Sequence, residues 1–161
     1  ALKLASIIHK TLVHGDVTAY WHWDLFWGAG TGEGSLLLVD NPFTGNRRMW
    51  ANEKGFTLTQ SFWYYAHFCR FIRPGFQRVR VTCPIDSILV SAYVGPANKA
   101  CAVVINSSNR SIDGLQLNGL PAGSTEVFQS TLSDRMTSLG SMQIPALPPL
   151  PGHSITTVAV N

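Results

Sequence analysis

The triplet Arg73-Pro74-Gly75 separates two stretches of chain with different hydrophobic periods, and this switch constrains the fold more than any other feature. Proline cannot continue a helix and glycine leaves right-handed backbone readily, so the pair ends whatever regular element precedes it. Before it, apolar residues recur three and four apart. After it they alternate in short runs: Ile88, Val90, Ala92 and Val94 interleave with Ser87, Leu89, Ser91 and Tyr93, and Val79 and Val81 interleave with Arg78 and Arg80. Further runs lie at 101–105, 111–117, 125–131 and 153–160, with turn residues between them at Gly95-Pro96, 107–109, 119–121, 138–140 and 148–152. Six or seven short strands so spaced predict an antiparallel β-sandwich over residues 76–161, preceded by an α/β unit over residues 1–75.

Within the first unit, Ala1, Leu4, Ala5, Ile8 and Leu12 share one helical stripe that stops at His14-Gly15. A cation followed by a glycine suits a helix end. No capping residue opens this helix, which suggests a chain cut from something longer. Residues 17–23, β-branched and aromatic without a helical stripe, predict a strand buried on both sides. A long connection rich in glycine (Gly28, Gly30, Gly32, Gly34) then leads through a short strand at 35–40 and a turn at 41–46 to a second helix. Thr57-Leu58-Thr59-Gln60 has capping-box spacing, and Phe62, Tyr65, Cys69 and Ile72 form the expected inner stripe of that helix, over residues 59–72.

Charge narrows the partners. Only 13% of residues are charged and the net charge is +3, with arginines scattered along the chain and no basic stripe to track phosphates, so nucleic acid is not an expected partner. The apolar runs fall far short of the roughly 20 residues that cross a bilayer, so no membrane partner is expected either. Sparse charge with 14 glycines and 9 prolines suits a secreted, loop-rich protein, and any export signal would have been removed or lie outside this piece. Asn106-Ser107-Ser108 and Asn109-Arg110-Ser111 fit the glycosylation pattern and fall in a polar patch between apolar runs. Cys69, Cys83 and Cys101 are an odd number without zinc-type spacing, and His9 and His14, five apart, miss a common helix face, so no metal or other cofactor is expected. The glycines at 28–34 open onto no helix and therefore do not form a phosphate cradle.

Several segments, taken in order, resemble the C-terminal part of glycoside hydrolase family 30. They are Ala1-Leu2-Lys3-Leu4-Ala5-Ser6-Ile7-Ile8-His9, Ala19-Tyr20-Trp21-His22-Trp23-Asp24-Leu25, Tyr65-Ala66-His67-Phe68-Cys69-Arg70-Phe71-Ile72-Arg73-Pro74-Gly75, Val90-Ser91-Ala92-Tyr93, Val103-Val104-Ile105-Asn106 and Ser154-Ile155-Thr156-Thr157-Val158. The resemblance covers the whole chain. It implies the last portion of a (β/α)8 TIM barrel followed by a β-sandwich side domain, with 1–14 as the seventh barrel helix, 17–23 as the eighth strand, 59–72 as the eighth helix and 76–161 as the side domain.

That family consists of retaining hydrolases, in which an acid/base carboxyl and a nucleophilic carboxylate stand about 5 Å apart across the scissile bond. The resemblance places both glutamates upstream of Ala1, so the expected partner is the barrel segment that carries them, and this chain alone is expected to be inactive. Barrel sites lie at the C-terminal ends of strands, which for the eighth strand means residues 21–27. Indole faces stack on the C–H faces of sugars, and the resemblance puts Trp23 against the sugar that is attacked. Trp21 shares the strand face of Trp23 but reads as an aromatic packed between barrel and helices. Trp27 either stacks on sugar or folds back on its loop; it stands where glucuronate-requiring xylanases of the family carry an arginine, which an indole cannot replace. Arg47 and Arg48 read as a solvated pair, Glu33 and Glu53 as solvent-facing, and Asp24 as a hydrogen-bonding loop residue.

The expected activity is endo-β-1,4-xylan hydrolysis. A β-1,6-glucanase or a glucosylceramidase-like relative is the alternative within the family. A free-standing glycan-binding module made of 76–161 is the rival from another class, and it lacks tryptophan: Trp21, Trp23, Trp27, Trp50 and Trp63 all precede it.

Overall fold

A computed structural model describes residues 1–28, 34–39 and 55–161. Helix α1 spans Leu2–Val13, with Ala1 at the N-cap and no side-chain cap, and it closes where the backbone N–H groups of His14 and Gly15 both donate to the Lys10 carbonyl. Its buried face is Ala5, Ile8 and His9, flanked by half-buried Leu4 and Leu12.

Helix α2 spans Gln60–Cys69. Its cap is Thr59, whose hydroxyl accepts from the Phe62 amide at 3.3 Å. The expected capping box at Thr57 does not form, because Thr57 lies in strand β3 (Phe56–Leu58), opposite Leu38. The expected inner stripe is also displaced. Tyr64, His67 and Phe68 are the buried residues, whereas Tyr65 and Ile72 are half-buried and Cys69 is exposed. This helix lies between two layers, so it is apolar on more than one side and a single stripe does not define its inner face.

Strands β1 (Phe26–Gly28), β2 (Leu37–Val39) and β3 form a small sheet in that order, with β1–β2 parallel and β2–β3 antiparallel. The strand expected at 17–23 is absent. That segment has no ladder partner among the described residues, and aromatic, β-branched sequence without a neighbour to bond is not a strand.

Beyond Gly75, whose φ of +89° only glycine adopts without strain, six strands make one antiparallel sheet. They are β4 (Gln77–Val79), β5 (Ile88–Val94), β6 (Ala100–Asn106), β7 (Thr125–Ser130), β8 (Thr137–Gly140) and β9 (Ser154–Val160), in the spatial order β4-β5-β6-β9-β7-β8. The last strand of the chain is thus central, paired with β6 along its whole length. Both β6 and β9 are buried at every residue, because each face of the sheet is covered. On one face Val103, Ile105 and Ile155 pack against Ala5, Ile8, Tyr64 and Phe68 of the two helices. On the other face Ala92, Ala102, Val104, Val127 and Val158 meet Leu117, Leu147 and Leu150. The strand expected at 111–117 is not formed; this second layer touches itself through the isolated bridges Ile112–Leu150 and Gln116–Ala146. The far side is therefore an irregular cover over one sheet, in place of a second full sheet.

Candidate glycan-contacting site

The segment joining α1 to β1 alternates in burial. Tyr20, His22 and Asp24 are half-buried, while Trp21 is 91% exposed, Trp23 79%, Leu25 57% and Phe26 60%. The inward residues explain the register. Tyr20 and His22 pack on Tyr65 of α2, with ring centroids 6.5 and 5.9 Å from it. His22 donates through Nε2 to the Gly34 carbonyl at 3.0 Å. The Asp24 carboxylate accepts from the Ser35 hydroxyl at 2.7 Å, and the Trp23–Asp24 peptide is cis. Outward, the two indoles and two further apolar side chains form an exposed ledge of a kind that in soluble proteins marks a ligand or partner surface.

Trp21 is open to solvent in this chain, and among the described residues the segment is not buried on both sides. Trp23 is open to solvent. Trp27 is the central residue of β1, opposite Leu38. Asp24 takes the hydrogen-bonding role expected of it. Arg47, Arg48, Glu33, Glu53 and the turn at 41–46 lie outside the described residues. Among the described residues no group of three or more histidine, cysteine or acidic side chains could hold a metal ion.

The two glycosylation candidates differ sharply. Asn109 is exposed, but Asn106 has 0% exposure. Its Nδ2 donates to the Arg110 and Leu150 carbonyls at 2.8 Å and the Pro151 carbonyl at 3.1 Å, and its Oδ1 accepts from the Ser108 amide and hydroxyl. An amide so enclosed has no room for a sugar, so the expectation of a glycan at Asn106 does not fit this environment.

One polar cluster escaped the sequence reading. His67 is fully buried between α2 and the sheet, with Nδ1 2.8 Å from the Thr157 hydroxyl and Nε2 2.9 Å from the Ser130 hydroxyl. Burial first, and the Arg70 charge second, hold its pKa down to about 3, so it stays neutral. Its partners lie 63 and 90 residues away, and no local pattern announces such contacts. The cysteines are free, and burial lifts the Cys101 thiol to about 12, which removes it from thiolate chemistry. A cleft of about 540 Å³ on the far face of the sheet, lined by Val81, Val90, Val104, Leu117 and Leu147 among others, has no aromatic ring in its wall. Sugar stacking is not its chemistry.

Two helices laid on an antiparallel sheet whose last strand is central, with an aromatic ledge beside them, match the C-terminal part of the fold of family 30 glycoside hydrolases. The homologues are xylanases. Over its whole length the chain is 29% identical to glucuronoxylanase XynC of Bacillus subtilis (strain 168), of which it spans 34%. It superimposes on a family 30 endoxylanase of Clostridium papyrosolvens C71 with a TM-score of 0.73 and 25% identity, covering 99% of this chain and 37% of that one. A conserved exported protein of Bacteroides fragilis shares the fold at a TM-score of 0.79 and 23% identity, covering 99% of this chain and 33% of that one. No family model matches. The chain thus spans about a third of the relatives it matches.

Proposed function

We propose that this chain is the C-terminal portion of an exported, retaining xylan hydrolase, and that it supplies one wall of the glycan cleft while glutamates upstream carry out the chemistry. The observation that carries this reading is the ledge itself: Trp21 and Trp23 stand open to solvent on a chain whose homologues over its full length are xylanases. An exposed indole offers a flat apolar face to a sugar ring, while Trp27 follows three residues after Asp24 in β1. Upstream of the ledge, an acid would protonate the glycosidic oxygen and a nucleophilic carboxylate would form the glycosyl-enzyme intermediate that water then releases. The rival, a binding module made of 76–161 alone, loses support because the large apolar residues exposed there are Val79, Val94, Leu132 and Leu139, none of them aromatic.

The test is hydrolysis of xylan by this chain preceded by its upstream sequence. Reducing ends should appear, and Trp23→Ala should lower kcat/KM about 10- to 100-fold, which corresponds to about 1.4–2.7 kcal/mol of transition-state binding. Absence of xylan cleavage by the longer protein would end the proposal.

A further inference from the structure

An exposed aromatic segment without ladder partners raises a physical question, because hydrophobic attraction favours folding the two indoles back onto the nearby apolar surface. Something must hold the segment open. The bonds that tie residues 22–25 down converge on one short stretch, residues 34–37. His22 Nε2 donates to the Gly34 carbonyl at 3.0 Å, the Ser35 hydroxyl donates to Asp24 Oδ1 at 2.7 Å, the Leu36 amide donates to the Asp24 carbonyl at 3.2 Å and the Leu37 amide donates to the Leu25 carbonyl at 2.8 Å. That stretch is in turn anchored to α2. The Thr59 hydroxyl donates to the Ser35 and Leu36 carbonyls at 3.0 and 2.9 Å, and the Thr59 amide donates to the Leu36 carbonyl at 3.0 Å.

Ser35 is buried and Asp24 half-buried, so the Ser35–Asp24 bond is partly shielded from water, and the charge of the carboxylate strengthens it. His22 and Asp24 flank Trp23 on both sides. Holding the two inward forces the residues between and before them outward, since neighbouring side chains along the segment alternate in direction.

We propose that residues 34–36 act as a strap that positions the Trp21/Trp23 ledge, with Ser35 and Asp24 as its principal pair and Thr59 as its anchor on α2. Ser35 and Asp24 are thus positioning residues: they act on a glycan through the indoles. The consequence for sugar binding rests on the function proposed above, whereas the consequence for the indoles does not.

The experiment labels this chain, preceded by its upstream sequence as in the hydrolysis test, with 5-fluorotryptophan and assigns the Trp21 and Trp23 fluorine resonances with Trp21→Phe and Trp23→Phe. In Ser35→Ala, both resonances should broaden and lose most of their H2O/D2O isotope shift as the indoles leave solvent, while the Trp63 resonance and the far-ultraviolet helix signal stay as they were. Ser35→Thr, which keeps the hydroxyl, should restore the original spectrum. If Ser35→Ala loses the helix signal, Asp24→Ala carries the same comparison from the acceptor side. Titration with xylohexaose should show at least tenfold weaker binding in both variants. Unchanged Trp21 and Trp23 resonances in a folded variant would overturn the strap. Altered resonances in a protein whose wild type shows no response to xylohexaose would leave the strap standing and sink the glycan reading instead.

Discussion

His67 shows how a single residue can join helix to sheet. Enclosed and neutral, it bonds two strands at once, through Ser130 of β7 and Thr157 of β9, and Ser130 also accepts from the Met136 amide at 2.8 Å. Replacing the imidazole with a leucine leaves two buried hydroxyls without that partner, at a cost of about 2–3 kcal/mol in urea unfolding. Because the penalty comes from the orphaned groups, adding Thr157→Val to His67→Leu should recover about 1 kcal/mol, a non-additivity that a double-mutant cycle measures directly. The same reasoning separates Asn106 from Asn109. Three carbonyls face the Asn106 amide, so Asn106→Asp turns a donor into a charge directed at acceptors and should unfold the protein or lower Tm by more than 10 °C, which is about 2.5–5 kcal/mol or more for a domain of this size. Asn109→Gln, at an exposed turn, should stay within about 0.5 kcal/mol of wild type. In a glycosylating host, any glycan mass should vanish in Asn109→Gln, and glycan remaining in that variant would contradict the burial of Asn106.

Elements in this fold form where local pattern and neighbours agree. Thr59 is the plainest case, since one hydroxyl caps α2 and also donates to two carbonyls of the strap. Thr59→Ala should cost about 1–2 kcal/mol, and Thr59→Ser, which keeps the oxygen, less than about 0.5 kcal/mol, both read from the denaturation midpoint. Several elements were readable in advance because the spacing of their apolar residues alone announces them. Helix α1 has one buried stripe, and the alternation of Ile88, Val90, Ala92 and Val94 places β5 at Ile88–Val94. Other elements hide their neighbours. The buried face of α2 comprises Tyr64, His67 and Phe68, although its sequence shows an equally apolar stripe through Tyr65 and Ile72, which meets Tyr20 and α1. Residues 17–23 have strand-forming composition, yet a strand exists only with a partner to bond. The ledge was legible as aromatic residues, not as the alternation of inward and outward side chains that the strap imposes.

Across the whole molecule, the helices and the sheet share one core that spans the joint at Gly75, so events under the helices are felt globally. Two histidines lie in that layer. His67 is held at about 3, and His9, on the buried face of α1, is lowered to about 4, by burial first and then by the charges of His14 and Lys10. Both folded values lie below the ordinary value of 6.5. Below about pH 6 the unfolded chain therefore binds protons at these sites while the folded chain does not, and protonation pulls the equilibrium toward unfolding. Stability contributed by the neutral rings is present above about pH 6.5 and is lost as pH falls toward 4 for His9 and 3 for His67. Each ring contributes a slope of about 1.4 kcal/mol per pH unit, so the pair together makes unfolding about 2–3 kcal/mol easier for each unit between pH 5.5 and 4.5. Urea titrations at intervals across that window should show this slope in the wild type and about half of it in His67→Leu, where one proton site is gone. A slope left unchanged by the substitution would mean that His67 charges in the folded state, which its two hydroxyl partners and its enclosure do not accommodate.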